Sequence, residues 1–257
     1  MSSTFQLPTA ASEGFKNAAA YDAHRPSYPQ EPVNTLLSKL DLLPGDENEN
    51  IRVVEVASGT GKFTESLAAK YPPGRRRRRR LEVVASKVVD GHAGELPVED
   101  GWADGWFANE ETLKEAYRVL KPGKGVGIIW NVEDYNKPTS WKATTKWEEK
   151  LNEWIRSLPS DGNPRFRDEE WKKAFQDQKL FSLPLGEQTI KWKTWLTEDA
   201  LWSRINTLSQ VAVLEGKEKE SATKVFKEAF ALGDVERNSN GEIALHGITL
   251  FVWTKKI

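Results

Sequence analysis

Apolar positions along the chain fall into two spacings, and the switches between them outline an alternating α/β order. Between Pro29 and Leu43 the apolar Val33, Leu36, Leu37 and Leu40 recur at helical spacing. A second, shorter helix is expected from Phe15 to His24, ended by Arg25-Pro26 because the residue before proline avoids the helical region. Ile51 to Ala57 (IRVVEVA) is then a short β-branched run that reads as a strand. It feeds a glycine turn and a helix with Phe63, Leu67 and Ala68 on one face. Leu81 to Ala85 (LEVVA) supplies another strand, so the segment predicts a βαβ unit of a parallel sheet. Farther on, Glu110 to Leu120 is patterned as a helix that stops at Lys121-Pro122-Gly123, and Gly125 to Asn131 as a buried strand. Ser140 to Leu158 places Trp147, Leu151, Trp154 and Ile155 on one helical face, and Asp168 to Phe175 predicts a short helix. Thr189 to Trp195 alternates as a half-buried strand. Thr197 can cap a helix reaching about Leu214, Glu218 to Leu232 predicts another, and Ile243 to Lys255 a long closing strand.

Composition narrows the class. A chain of 257 residues with 38% hydrophobic residues and eleven tryptophans can bury one sizeable core, and a single domain is expected. The formal net charge of −1 gives no whole-molecule attraction to nucleic acid or a membrane surface. Arg75 to Arg80 is the one low-complexity tract; without interleaved aromatics it reads as a solvated loop rather than a polyanion grip. The absence of cysteine excludes disulfides, thiolate metal sites and a cysteine nucleophile, and points to a reducing, cytoplasmic setting. Neither a signal-like start nor eighteen consecutive apolar residues is present, so no membrane association is expected. His24, His92 and His246 lie far apart without HExxH spacing; they read as ordinary polar or core residues, and no metal is expected.

The stretch VEVASGTGKFT carries the candidate chemistry. A Walker A loop fails at Val56 and Phe63, where a glycine and a magnesium-binding hydroxyl are required. A dinucleotide fingerprint counted from Gly59 fails at Thr64, where a third glycine should stand. The acidic-x-Gly-x-Gly-x-Gly loop of S-adenosylmethionine-dependent methyltransferases fits best, through Glu55, Ser58-Gly59 and Thr60-Gly61, with Ala57 in place of the first glycine. Small residues there let backbone approach a ligand, and amides opening the next helix suit a carboxylate. A bare glycine turn without a ligand is the competing reading.

Five segments in order then resemble class I, Rossmann-like methyltransferases of the methyltransferase type 11 kind, close to fungal enzymes related to trans-aconitate methyltransferase. They are YDAHRPSYP, EVASGTGKFTESLA, GHAGELPVEDGWAD, LKEAYRVLKPGKGVGIIWN and INTLSQVAVL with GEIALHGITLFVWTKK. The resemblance implies an α/β fold with a mostly parallel sheet, an antiparallel C-terminal strand and a helical lid. It divides one domain into N-terminal cap helices over 1–45, a cofactor core over 51–131, a lid insertion over 135–185 and closing helices and strands over 186–257. It implies S-adenosyl-L-methionine as cofactor, held by Glu55, Ala57, Ser58, Gly59, Gly61, Tyr21 and Arg25, with His92 and Ala93 near adenine. A small-molecule carboxylate or hydroxyl acceptor is implied, with no nucleic acid or membrane partner and a monomer or weak homodimer. No general base is assigned.

Two departures from the pattern carry expectations of their own. The family's second strand ends in an acid that holds the ribose, followed by a crossover helix. Here the strand ends Ala85-Ser86, and only Lys87 separates it from VVDG, far short of the roughly 10–12 residues a parallel crossover needs. Between Asp104 and Trp106 only Gly105 stands where the family places an apolar fourth strand. A sheet of fewer than seven strands is therefore expected, with the fourth strand missing. A non-catalytic relative with weak or no cofactor binding remains the rival to an active enzyme.

Overall fold

The computed structural model describes residues 27–43, 51–56, 58–70, 94–107, 112–160, 162 and 165–257. The expected helix at 15–24 and strand at 81–85, with the arginine run, lie outside them. The described strands are β1 (Val53–Glu55), β2 (Ala103–Phe107), β3 (Leu120–Glu133), β4 (Gly186–Leu196) and β5 (Ile243–Lys255). Among the described residues they form one mixed sheet in the order β1-β2-β3-β5-β4, the α/β arrangement expected from the sequence. The helices are α1 (Gln30–Lys39), α2 (Lys62–Ala68), α3 (Leu113–Val119), α4 (Lys146–Ser157), α5 (Glu198–Ile205), α6 (Ser209–Ala212) and α7 (Gly216–Phe230).

The missing-strand expectation is overturned. Ala103–Phe107 is itself a strand, parallel to β1 through Val53↔Gly105, Val54↔Trp106 and Glu55↔Phe107, and parallel to β3 on its other side. Its five residues are all buried, but an aspartate and a glycine at its centre hide it from an apolar pattern. Asp104 tolerates burial because its carboxylate accepts from the Arg52 backbone N–H at 3.0 Å and from Lys121 Nζ at 2.8 and 2.9 Å. Gly105 leaves room for the turn after α1: a Cβ there would lie 2.5 Å from Leu42 Cδ1, and one at Gly125 or Gly127 would lie 2.6 or 2.8 Å from a Leu40 methyl.

Two element ends also differ from the pattern. The helix expected to run to Leu43 stops at Lys39, because Asp41 takes a left-handed φ of 56°. Asp41 N–H then bonds Ser38 O and Leu42 N–H bonds Leu37 O, a Schellman closure. In β3 the register jumps from Ala103↔Leu120 to Gly105↔Gly125, so the KPGK segment bulges from the ladder, where a proline has no N–H to offer. The helix expected from Ser140 begins only at Lys146. Thr145 Oγ1 accepts from Glu148 N–H there, and Asp234 accepts from the N–H groups of Lys146 and Trp147. Thr197 caps α5 as expected, accepting from Ala200 N–H at 3.2 Å, but α5 stops at Ile205 and the stretch toward Leu214 forms the separate short α6.

By contacts the described chain groups into two units. One holds described residues within 27–131, 171–190 and 249–257, around Val33, Leu36, Leu37, Phe63, Phe107 and Phe251. The other holds those within 132–170 and 191–248, where α4 packs on α7 around Trp147, Leu151, Ile155, Leu201, Ile205 and Phe226. Within it Arg204 donates to Glu133 Oε1 at 2.6 and 3.0 Å, both side chains almost wholly buried. No helix among the described residues is long and apolar enough to cross a membrane.

Candidate active site

The glycine loop joins β1 to α2. Val56 N–H bonds Phe107 O at 2.7 Å, which carries the β1–β2 ladder one residue past Glu55 and fixes where the loop begins. Gly59 and Gly61 both adopt positive φ, 57° and 82°, and Gly61 N–H closes a turn on Ser58 O at 2.9 Å. A side chain at either position would strain the backbone. Glu55, at the strand end, accepts a 2.6 Å hydrogen bond from Thr64 Oγ1 in the first turn of α2, so the carboxylate ties strand to helix across the loop. Burial raises the Glu55 carboxyl above its ordinary value of 4.5, and the Thr64 hydrogen bond pulls the other way.

The chain leading out of YDAHRPSYP is anchored beside this loop. Ser27 O accepts from Asn131 Nδ2, Tyr28 O accepts from Ser66 Oγ on α2, and Tyr28 OH donates to Ile129 O at 3.4 Å. The Tyr28 ring meets Phe63 edge-on at 5.5 Å, and Phe63 meets Phe107 at 4.9 Å. These contacts bring the end of the N-terminal motif, the first turn of α2 and the end of β2 together.

Of the residues read from the sequence, the structure brings Glu55, Ser58, Gly59 and Gly61 into one loop. Tyr21, Arg25, Ala57, His92 and Ala93 lie outside the described residues. Three contributors were missed. Thr60 holds a buried hydroxyl with no hydrogen-bond partner among the described residues, Thr64 engages Glu55, and Tyr28 packs on the loop's helix. Only Thr60 had a visible signal, as a hydroxyl between the two glycines. Among the described residues no cluster of three acidic or histidine side chains could hold a metal ion.

The residues present fit S-adenosylmethionine in two respects. An orphaned buried hydroxyl at Thr60 costs free energy unless a ligand satisfies it. No described residue lies within 4 Å of the place a Gly59 side chain would take, so the loop backbone has room beside it for a ligand.

No family model matches the chain. Among curated proteins, an uncharacterised methyltransferase of Schizosaccharomyces pombe is 30% identical over 219 residues, covering 79% of this chain and 80% of the relative. The chain belongs to the class I S-adenosylmethionine-dependent methyltransferases. An uncharacterised methyltransferase of Mycobacterium bovis is 25% identical over 265 residues, 91% of each chain. Among solved structures, a protein of Anaeromyxobacter dehalogenans assigned as a type II methyltransferase superposes with a TM-score of 0.56 at 14% identity, covering 90% of this chain and 97% of the other. This methyltransferase therefore shares its fold with that structure.

Proposed function

We propose that the chain transfers a methyl group from S-adenosyl-L-methionine to a small-molecule acceptor carrying a carboxylate or hydroxyl. The observation that carries this reading is the loop itself: two positive-φ glycines between a carboxylate-ended strand and a helix, with the unsatisfied Thr60 hydroxyl between them. Glu55, Ser58, Gly59, Thr60 and Gly61 would hold the cofactor, completed through the matched motifs by Tyr21, Arg25, Ala57, His92 and Ala93. The bound cofactor would supply an electrophilic methyl on a sulfonium. The protein's part is orientation, since holding reactants in near-attack geometry can contribute up to ~7–11 kcal/mol without an acid or base. The partners proposed are the acceptor alone, without nucleic acid or membrane, for a monomer or weak homodimer working in the cytoplasm. The test is transfer of labelled methyl from saturating S-adenosylmethionine into a library of small acids and alcohols, beside a Gly61→Val variant. Transfer by the parent and none by the variant supports the reading. Saturable cofactor binding without transfer to any acceptor would favour the non-catalytic alternative, which the absence of an acid at Ala85-Ser86 motivates. No binding at all would sink the methyl-transfer reading and leave the non-catalytic one.

A further inference from the structure

A polar pair joins two strands at a place where packing asks for none. Thr249 on β5 is wholly buried, followed by the buried Leu250 and Phe251, and it hydrogen-bonds the half-buried Asn131 on the neighbouring strand β3. A valine would fill the place of Thr249 without a polar group to satisfy, so the hydroxyl breaks the local rule for a core strand. Its partners show what it does. Thr249 Oγ1 donates to Asn131 Oδ1 at 2.6 Å, and Asn131 Nδ2 donates to Ser27 O at 3.3 Å. The two contacts settle the amide orientation, because a carbonyl oxygen can only accept.

From Ser27 the connection passes to the helix behind the glycine loop. Tyr28 O accepts from Ser66 Oγ at 3.3 Å, the Tyr28 ring meets Phe63 edge-on, and Tyr28 OH donates to Ile129 O on β3. Phe63 and Ser66 belong to α2, which starts directly after Gly61. Thr64, on the same helix, is tied to Glu55 at the end of β1. Thus α2 is fastened to the sheet by two routes, one to β1 and one to β3. Gly59 and Gly61 have no side chains with which to hold the loop, so its position follows from what fixes its ends.

We propose that Asn131, oriented by Thr249, is a positioning residue for the glycine loop. Through Ser27 and Tyr28 it sets where α2 begins, and with it the geometry the loop offers to the cofactor. The inference rests on the reading of that loop as the S-adenosylmethionine site. It adds that two strands beyond β2 in the sheet order, β3 and β5, help to set the affinity. If Thr249 served packing alone, only its shape would matter and its hydroxyl would not.

Two substitutions separate shape from hydroxyl. Thr249→Val keeps the shape and loses the donor, whereas Thr249→Ser keeps the donor and loses a buried methyl. The valine variant should keep the melting temperature of the parent and bind S-adenosylmethionine about fivefold more weakly by NMR titration, the size of one net hydrogen bond. The serine variant should melt lower and bind as the parent does. In the cofactor-free chain the amide resonances of Gly59 and Gly61 should move in the valine variant and stay in place in the serine one. Ser66→Ala, which cuts the link from Tyr28 to α2, should make the loss from Thr249→Val less than additive. Affinity that follows the melting temperature across the pair, or amide shifts confined to β3, β5 and Ser27–Tyr28, would overturn the inference. A parent that binds no S-adenosylmethionine would refute the cofactor reading, and the amide shifts of the free chain would then decide by themselves whether Asn131 positions the loop.

Discussion

Arg204 and Glu133 show how much one residue's worth depends on its partner. Their side chains are 2% and 1% exposed, so removing either takes a charge-assisted partner away from a charge that stays buried in the core. Such losses run to about 3–5 kcal/mol, whereas replacing both members by apolar residues is often neutral. We expect Arg204→Met alone to lower stability to urea by that order, and Glu133→Leu/Arg204→Met to recover most of it. Glu148, fully buried with its carboxyl 3.1 Å from His246 Nδ1, has a pH signature. Its folded carboxyl titrates near 8 against an ordinary value of 4.5, so between those values the unfolded chain gives up its proton first and stability falls as pH rises. The lowered His246 ring works in the opposite sense at the acid end, where the unfolded ring takes up its proton first as pH falls. Melting curves of Glu148→Gln should match the parent near pH 5 and exceed it above pH 8, by on the order of 1–4 kcal/mol. None of this was legible in the sequence. Glu148 reads as an ordinary acid inside a helix and His246 as a strand residue, and 98 positions separate them.

Elements were more legible than contacts, with informative exceptions. The apolar face at Trp147, Leu151 and Ile155, the capping Thr197 and the strand over Ile243–Lys255 all lie where the pattern puts them, because each buries a regular stripe or satisfies a helix end locally. β2 was invisible because its identity comes from outside itself: Lys121 and Arg52 make Asp104 tolerable, and Leu42, in the turn after α1, crowds the space beside Gly105. The glycine loop was legible, since positive φ selects its residue type directly, but the Thr64 bond to Glu55 across it was not. The sheet offers its own test. A Cβ at Gly125 would sit 2.6 Å from both Thr254 O and Leu40 Cδ2, and the carbonyl belongs to a neighbouring backbone that cannot swing aside. Gly125→Ala should therefore cost about 1–3 kcal/mol by chemical unfolding. Gly105→Ala, which meets only a leucine methyl, should cost less in a background where Leu42 is alanine.

At the scale of the whole molecule, the decisive measurement is cofactor affinity. A carboxylate accepting two ribose hydroxyls would contribute ~3–6 kcal/mol, and the sequence Ala85-Ser86 supplies none. S-adenosylmethionine should bind this chain roughly a hundredfold or more below a typical micromolar site. Calorimetry should show affinity recovered when an acidic strand end and about 20 residues of crossover follow Ala85. Low-micromolar binding by the parent would mean another group, such as Asp90, has taken over the ribose. Replacing Arg75 to Arg80 with a neutral linker should leave that affinity unchanged, and strongly salt-dependent duplex DNA binding by the parent would contradict the solvated-loop reading. The close approach of the turn after α1 to β2 and β3 bears on how such chains diverge. A side chain at Gly105 or Gly127 needs Leu42, or Leu40 and Phe107, to yield, whereas at Gly125 the Thr254 carbonyl bars one whatever stands at position 40. Across relatives Gly105 should change in concert with Leu42 and Gly127 with Leu40 while Gly125 stays glycine, and a lineage that once enlarged either of the first two would find the way back to a leucine closed.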